Sequence, residues 1–207
     1  MMAETIGWTA SPRGVFNGRS MTNGGPSVAG FYEGWRLTND RLIEALAPLS
    51  AEALAWGPGP DMWPIWALAG HLAGARVYWL CSVLKEPGAA GTPFTDPSGD
   101  GWEDHPSEPR GADDLVFALR STWDVVDACL RRWTPEMLLA EFQRVRGDVI
   151  QIHTRQSVLI RLITHDAYHC GEISQIIGTH GGPEIDVWSG LSRVLSSQPP
   201  LLGTNDS

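Results

Sequence analysis

The chain is poor in cysteine. Its three, Cys81, Cys129 and Cys170, stand far apart with no CxxC spacing, and an odd number closes no complete disulfide framework. They read as reduced, buried, small apolar residues of a cytoplasmic protein. Positive charge is also scarce: 15 Lys and Arg stand against 24 Asp and Glu, a net charge of −9. The densest basic stretch, Arg144, Arg146, Arg155 and Arg161, is dilute, so a nucleic acid is not an expected partner. No basic region followed by an apolar run occurs between Met1 and Gly30, so no secretory leader is expected there. Internal repeats, a glycine-rich phosphate loop and a strong series of strands are lacking as well.

Apolar residues are plentiful at 43%, enough for a sizeable core, and 207 residues suit one domain. The run from Trp63 to Leu84 is the most apolar, yet His71 and Arg76 stand near its middle. An arginine at the centre of a bilayer costs roughly 2.5–3.5 kcal/mol, and no second span shields it. The run therefore reads as the most buried helix of a bundle, with no membrane partner.

Four helices are expected. The first spans about 30–47, with Phe31, Trp35, Leu42, Leu46 and partly Thr38 on one stripe, and Pro48 ends it. A short helical turn follows at Ser50 to Leu54, and the stretch Gly57 to Asp61 breaks the chain. The second helix starts between Asp61 and Pro64 and continues to about Lys85, stopped by Pro87 and Gly88. Residues 86–111 form a long Pro/Gly/Asp-rich loop, a lid or simply mobile. The third helix covers about 112–133, with a stripe of Leu115, Leu119, Val126 and Leu130. A short hairpin around Gly147 and Asp148 precedes the fourth helix, which Thr154 caps and Gly181 and Gly182 end. The expected organisation is an all-α four-helix bundle over residues 30–182, with a mobile arm at 1–29 that Trp8 and Phe16 can dock, and a tail at 183–207. In that tail Ile185, Val187 and Trp188 are candidates to fold back on the body.

The chemistry concentrates on histidine. His165 and His169 are four residues apart, hence on one face of the fourth helix, and Glu172 shares that stripe. Two imidazoles at this spacing can grip a first-row metal ion. His71 lies in the most apolar segment, where an unpaired polar group costs about 1–3 kcal/mol. Cofactor sites in bundles form from side chains on facing helices, which favours ligation by His71, His165 and His169 together over three unrelated core histidines. Asp166 projects away from the stripe and is not read as a ligand; His105, His153 and His180 have no metal role. Trp63, Trp66 and Trp79 read as large core residues that can also wall a pocket, and Tyr168 is a weak candidate acid.

The stretches Gly70–Trp79, containing His71, and His165–Ile173, containing His169, Cys170, Gly171 and Glu172, resemble the DinB/YfiT-like superfamily. That superfamily includes the mycothiol-dependent maleylpyruvate isomerase fold and related thiol S-transferases. The resemblance covers roughly residues 30–180 and implies an up-down-down-up bundle holding zinc, nickel or iron through His71, His165 and His169. Family members often read His-His-Arg-Gly-Gln where this chain reads Tyr168 to Glu172. Three protein ligands leave a coordination position open, the pattern of a catalytic ion. The resemblance further implies a low-molecular-weight thiol as a small-molecule substrate, activated for transfer to an electrophile with Glu172 as base or supporting partner. A hydrolase using ion-activated water, and a non-catalytic metal-binding or interaction bundle, remain alternative readings. By fold-level analogy the bundle pairs as a homodimer.

Overall fold

In the computed structural model, which describes residues 26–191, the chain is mostly helical with one small hairpin. The helices are α1 (Glu33–Leu46), the single turn α2 (Ala51–Leu54), α3 (Ile65–Val77), α4 (Ala112–Arg132) and α5 (Arg155–Thr179). The hairpin pairs β1 (Glu141–Arg146) with β2 (Val149–Thr154) in antiparallel register, from Glu141 opposite Thr154 to Arg146 opposite Val149. Gly147 takes a φ of +57° in the two-residue turn, a conformation that glycine adopts without steric cost. Most of the arm expected over 1–29, including Trp8 and Phe16, and most of the tail lie outside the described residues.

α3 packs against α4 and α5, and α1 packs against the same two helices. The stripe Leu115, Leu119, Val126 and Leu130 is buried as its spacing requires. The expected stripe of α1 needs one correction. Trp35, Leu42 and Leu46 are buried, but Phe31 is 82% exposed, because a 3₁₀ turn over Val28–Phe31 precedes the helix and puts Phe31 off its periodicity. The second long helix also starts later than expected, at Ile65. Trp63 precedes a proline, whose ring disfavours helical backbone at the residue before it, so no helix can run in from Asp61.

At its far end α3 widens into a π-type segment over Tyr78–Val83, with the Leu84 N–H bonded to Trp79 O at 3.0 Å. The stop at Pro87 and Gly88 is preceded by a return bond from the Glu86 N–H to Leu80 O. α5 begins as expected, with Thr154 Oγ1 accepting from Ser157 N, and ends where Gly181 adopts positive φ. Ile185 is buried against the core and Val187 packs on it, whereas Trp188 is 75% exposed.

Among the described residues no helix is long and apolar enough to cross a membrane. The 86–111 segment carries short 3₁₀ turns at Ala89–Gly91 and Trp102–Asp104 and packs along α3. Cys129 and Cys170 are buried, and burial pushes their thiols up to about 12, so they behave as small apolar groups; Cys81 is half-buried and its thiol is raised for the same reason.

Candidate metal centre

α3 supplies His71, and α5 supplies His165 and His169 one turn apart. Because α3 and α5 pack together, the three rings meet: ring centroids are 4.8 Å apart for His71 and His165, 5.2 Å for His71 and His169, and 4.4 Å for His165 and His169. One ring nitrogen from each lies within 4.8 Å of the other two, and this is the only such donor cluster among the described residues.

The outer nitrogens show which atoms face inward. His71 Nδ1 donates to Glu103 Oε1 at 2.5 Å, and His169 Nδ1 donates to Glu172 Oε2 at 2.6 Å. A carboxylate on the far nitrogen fixes tautomer and ring orientation in metal-binding histidines and leaves Nε2 for the ion. His71 Nε2 and His165 Nε2 approach to 2.9 Å. Two neutral rings placed so can share at most one proton, and His165 Nδ1 is buried without a partner. A divalent cation gives the Nε2 atoms of His71 and His165 a common partner in place of this contact, with His169 Nε2 beside them, so the donor set fits such an ion.

Electrostatics favour the ligand form of the rings. Burial, together with His169, His71, Arg76 and Arg161, pushes His165 down to about 3. Burial also lowers His169, against the opposing pull of Glu172. Both are therefore neutral at pH 7, as coordination requires. The sign for stability follows from linkage: the unfolded chain, with His near 6.5, binds the proton that the folded chain refuses. Without metal, the His165 contribution to stability is complete above pH 6.5 and declines as pH falls toward 3. Urea midpoints measured from pH 7 to pH 4 should fall less steeply in His165→Gln than in the wild-type protein.

Beneath the triad lies a buried ion pair. Arg76 Nη2 donates to Asp166 Oδ2 at 2.7 Å, Trp35 Nε1 donates to the same oxygen at 2.7 Å, and Arg76 Nη1 donates to Asn39 Oδ1 at 2.7 Å. Burial pushes the Asp166 carboxyl up, and Arg76 and Trp35 oppose the shift. Asp166 is thus no ligand but a tie between the two helices that carry the triad.

Two clefts share the three histidines. The larger, about 850 Å³, is walled by Met62, Trp63, Leu68, Tyr168, His169 and Glu172. The smaller, about 360 Å³, reaches His71 and His165 past Tyr78, Trp79, Glu103 and Arg161. Trp63 leans on the His71 ring at 4.9 Å, Trp66 is a core residue, and Tyr168 is exposed beside Glu172, which raises its phenol pKa. The other histidines stand apart from the triad: His180 stacks on Trp56 at 4.0 Å, His153 meets the edge of Trp79, and His105 is exposed in the loop.

Sequence reasoning missed Glu103. It lies 32 residues from His71 in an irregular loop, and no local period points to it. The Arg76–Asp166 pair had a signal, since an arginine inside an apolar helix demands a buried acid.

A helical fold with three converging imidazoles, two of them backed by carboxylates, defines a class of helical proteins with a histidine metal site. The family model of the DinB superfamily matches residues 35–173, and the chain belongs to that superfamily. A crystal structure of a DinB-like protein from Bacillus cereus ATCC 10987 is similar in fold, with a TM-score of 0.55 at 19% sequence identity, covering 75% of this chain and 93% of that one. No curated protein matches the chain.

Proposed function

We propose that the protein is a divalent-metal-dependent enzyme that activates a low-molecular-weight thiol for transfer to an electrophile. The observation that carries this reading is that two clefts of different character share one three-histidine centre. His71, His165 and His169 hold zinc, nickel or iron, and the four long helices run up-down-down-up around them. A divalent ion bound there supplies Lewis acidity, which lowers the pKa of a thiol or a water placed at its open position. The aromatic and apolar wall of the larger cleft suits the electrophile. The smaller cleft, with Arg161 and Tyr78 on its wall, suits the polar body of the thiol. Glu172 holds the Nδ1 proton of His169 and keeps that ring's Nε2 directed inward. That bond engages one Glu172 oxygen, which favours a positioning role over general-base attack by water. We place the protein in the cytoplasm, as a homodimer.

The test is elemental mass spectrometry on tag-free protein, followed by turnover of thiol and electrophile against a chelated control. About one equivalent of metal per chain is expected, lost in His71→Ala and His169→Ala, with turnover that depends on both metal and thiol. Metal without turnover across several thiols would leave a non-catalytic site. Thiol-independent ester hydrolysis, abolished in Glu172→Gln, would favour the hydrolase.

A further inference from the structure

The 86–111 loop is longer than a compact fold needs, and it is seated on α3 with unusual closeness beside the triad. A Cβ at Gly70 would meet Trp102 at 3.1–3.2 Å, and one at Gly74 would meet Phe94 at 3.2 Å. The bare stripe made by Gly70 and Gly74, one turn apart on one flank of His71, is therefore a seat for these two loop aromatics. Arg110 lies over the Trp102 ring at 4.7 Å, and the Gly101 N–H donates to Asp104 Oδ2 at 2.9 Å, holding the 3₁₀ turn. The turn sets the Glu103 side chain, only 12% exposed, against His71 Nδ1. Its other oxygen, Oε2, is buried without a partner. The carboxylate thus gives up most of its hydration for one ring N–H, an arrangement that a positive charge on the far side of the ring would stabilise.

We infer that Glu103 is a positioning residue that straps the 86–111 loop to the metal centre, so that loop docking and metal loading strengthen each other. The inference rests on the metal reading above. Glu103 selects the His71 tautomer with Nε2 free for the ion, and the ion makes the His71 N–H a better donor to Glu103. By linkage the two effects are equal and reciprocal.

Gly101 supplies a test in which neither His71 nor Glu103 is substituted. A Cβ there would lie 2.6 Å from Glu103 Oε1 and 2.5 Å from its Cδ, so Gly101→Ala displaces the carboxylate, the free end of a flexible side chain. Gly101 has a φ of −82°, which alanine accepts without strain. Zinc affinity would be measured by competition with a chromophoric chelator in the full chain, Glu103→Gln and Gly101→Ala. Ring ¹⁵N shifts of His71 and amide hydrogen exchange over residues 92–104 would be followed with and without zinc.

Both variants should bind zinc about 10–100-fold more weakly, the usual loss on removing an outer partner of a metal-binding histidine. His71 should pass from one tautomer to a mixture, and zinc should slow loop exchange in the wild-type protein but much less in the variants. Unchanged zinc affinity in both variants, or loop exchange indifferent to zinc in the wild type, would overturn the inference while leaving the metal centre standing. No binding of zinc, nickel or iron by the wild type would overturn the metal centre and the inference with it. Faster loop exchange in the variants with normal affinity and a single His71 tautomer would reduce Glu103 to a structural residue.

Discussion

Replacing Asp166 with alanine should destabilise the fold by about 3–5 kcal/mol, the cost of removing one partner from a buried ion pair. Arg76 and Asp166 are each 1% exposed, and a lone guanidinium left between α3 and α5 would have lost its water and its counter-charge together. Trp35 Nε1 would lose its acceptor as well, while Asn39 would still hold one guanidinium nitrogen. Arg76→Met should cost a similar amount, because it strands the carboxylate, whose Oδ1 already lacks a partner. The double variant Arg76→Met with Asp166→Leu should recover most of the loss, since apolar replacement of a whole buried pair is often close to neutral. With Asp166→Leu added as the matching single variant, urea denaturation of the five proteins measures the coupling directly. Single-variant losses below about 1 kcal/mol would mean that water reaches the pair and that burial contributes little to the effect. The double variant also separates stability from function. The pair joins the same two helices that hold His71 against His165 and His169, so a stable double variant that binds metal weakly would show that the tie sets the spacing of the triad.

What could be read in advance follows the range over which each feature is encoded. α4 and α5 are written in local periods and in the residues that start and stop them, and Thr154, Gly147 and Gly181 do in the structure what their types dictate. The triad was legible because His165 and His169 lie one turn apart and His71 sits where an unligated histidine would be costly. Phe31 misled because a stripe extrapolated past a helix end counts a residue that is no longer helical. Glu103 was illegible for a different reason. Its partner lies 32 residues away, and the fit that brings them together is made by Trp102 and Phe94 on two glycines of α3, a match of surfaces with no trace in either segment alone. The π-type turn over Tyr78–Val83, which sets two aromatics into the smaller cleft, likewise leaves no mark on an apolar helical pattern.

Metal should raise the melting temperature of the wild-type protein by about 5–10 °C when free ion exceeds its Kd about a hundredfold. The size comes from mass action: a ligand at that excess that binds only the folded state adds about 2.7 kcal/mol, and in a chain of this length each kcal/mol moves the midpoint by roughly 2–4 °C. The ion has this leverage because its ligands come from two helices far apart in sequence, and the unfolded chain presents at most the His165 and His169 pair at short range. His71→Ala should therefore nearly abolish the shift, although α5 and its two histidines remain intact, and a chelator should return the wild type to its metal-free midpoint. His169→Ala should do the same. Glu172→Gln should keep part of the shift, because the amide oxygen can still accept from His169 Nδ1 while the negative charge that strengthens that bond is gone. Calorimetric scans of the four proteins with and without zinc decide the matter. A shift that survives in His71→Ala would place the ion on α5 alone, and the centre would then be a surface chelate on one helix, with α3 contributing a core histidine held by Glu103.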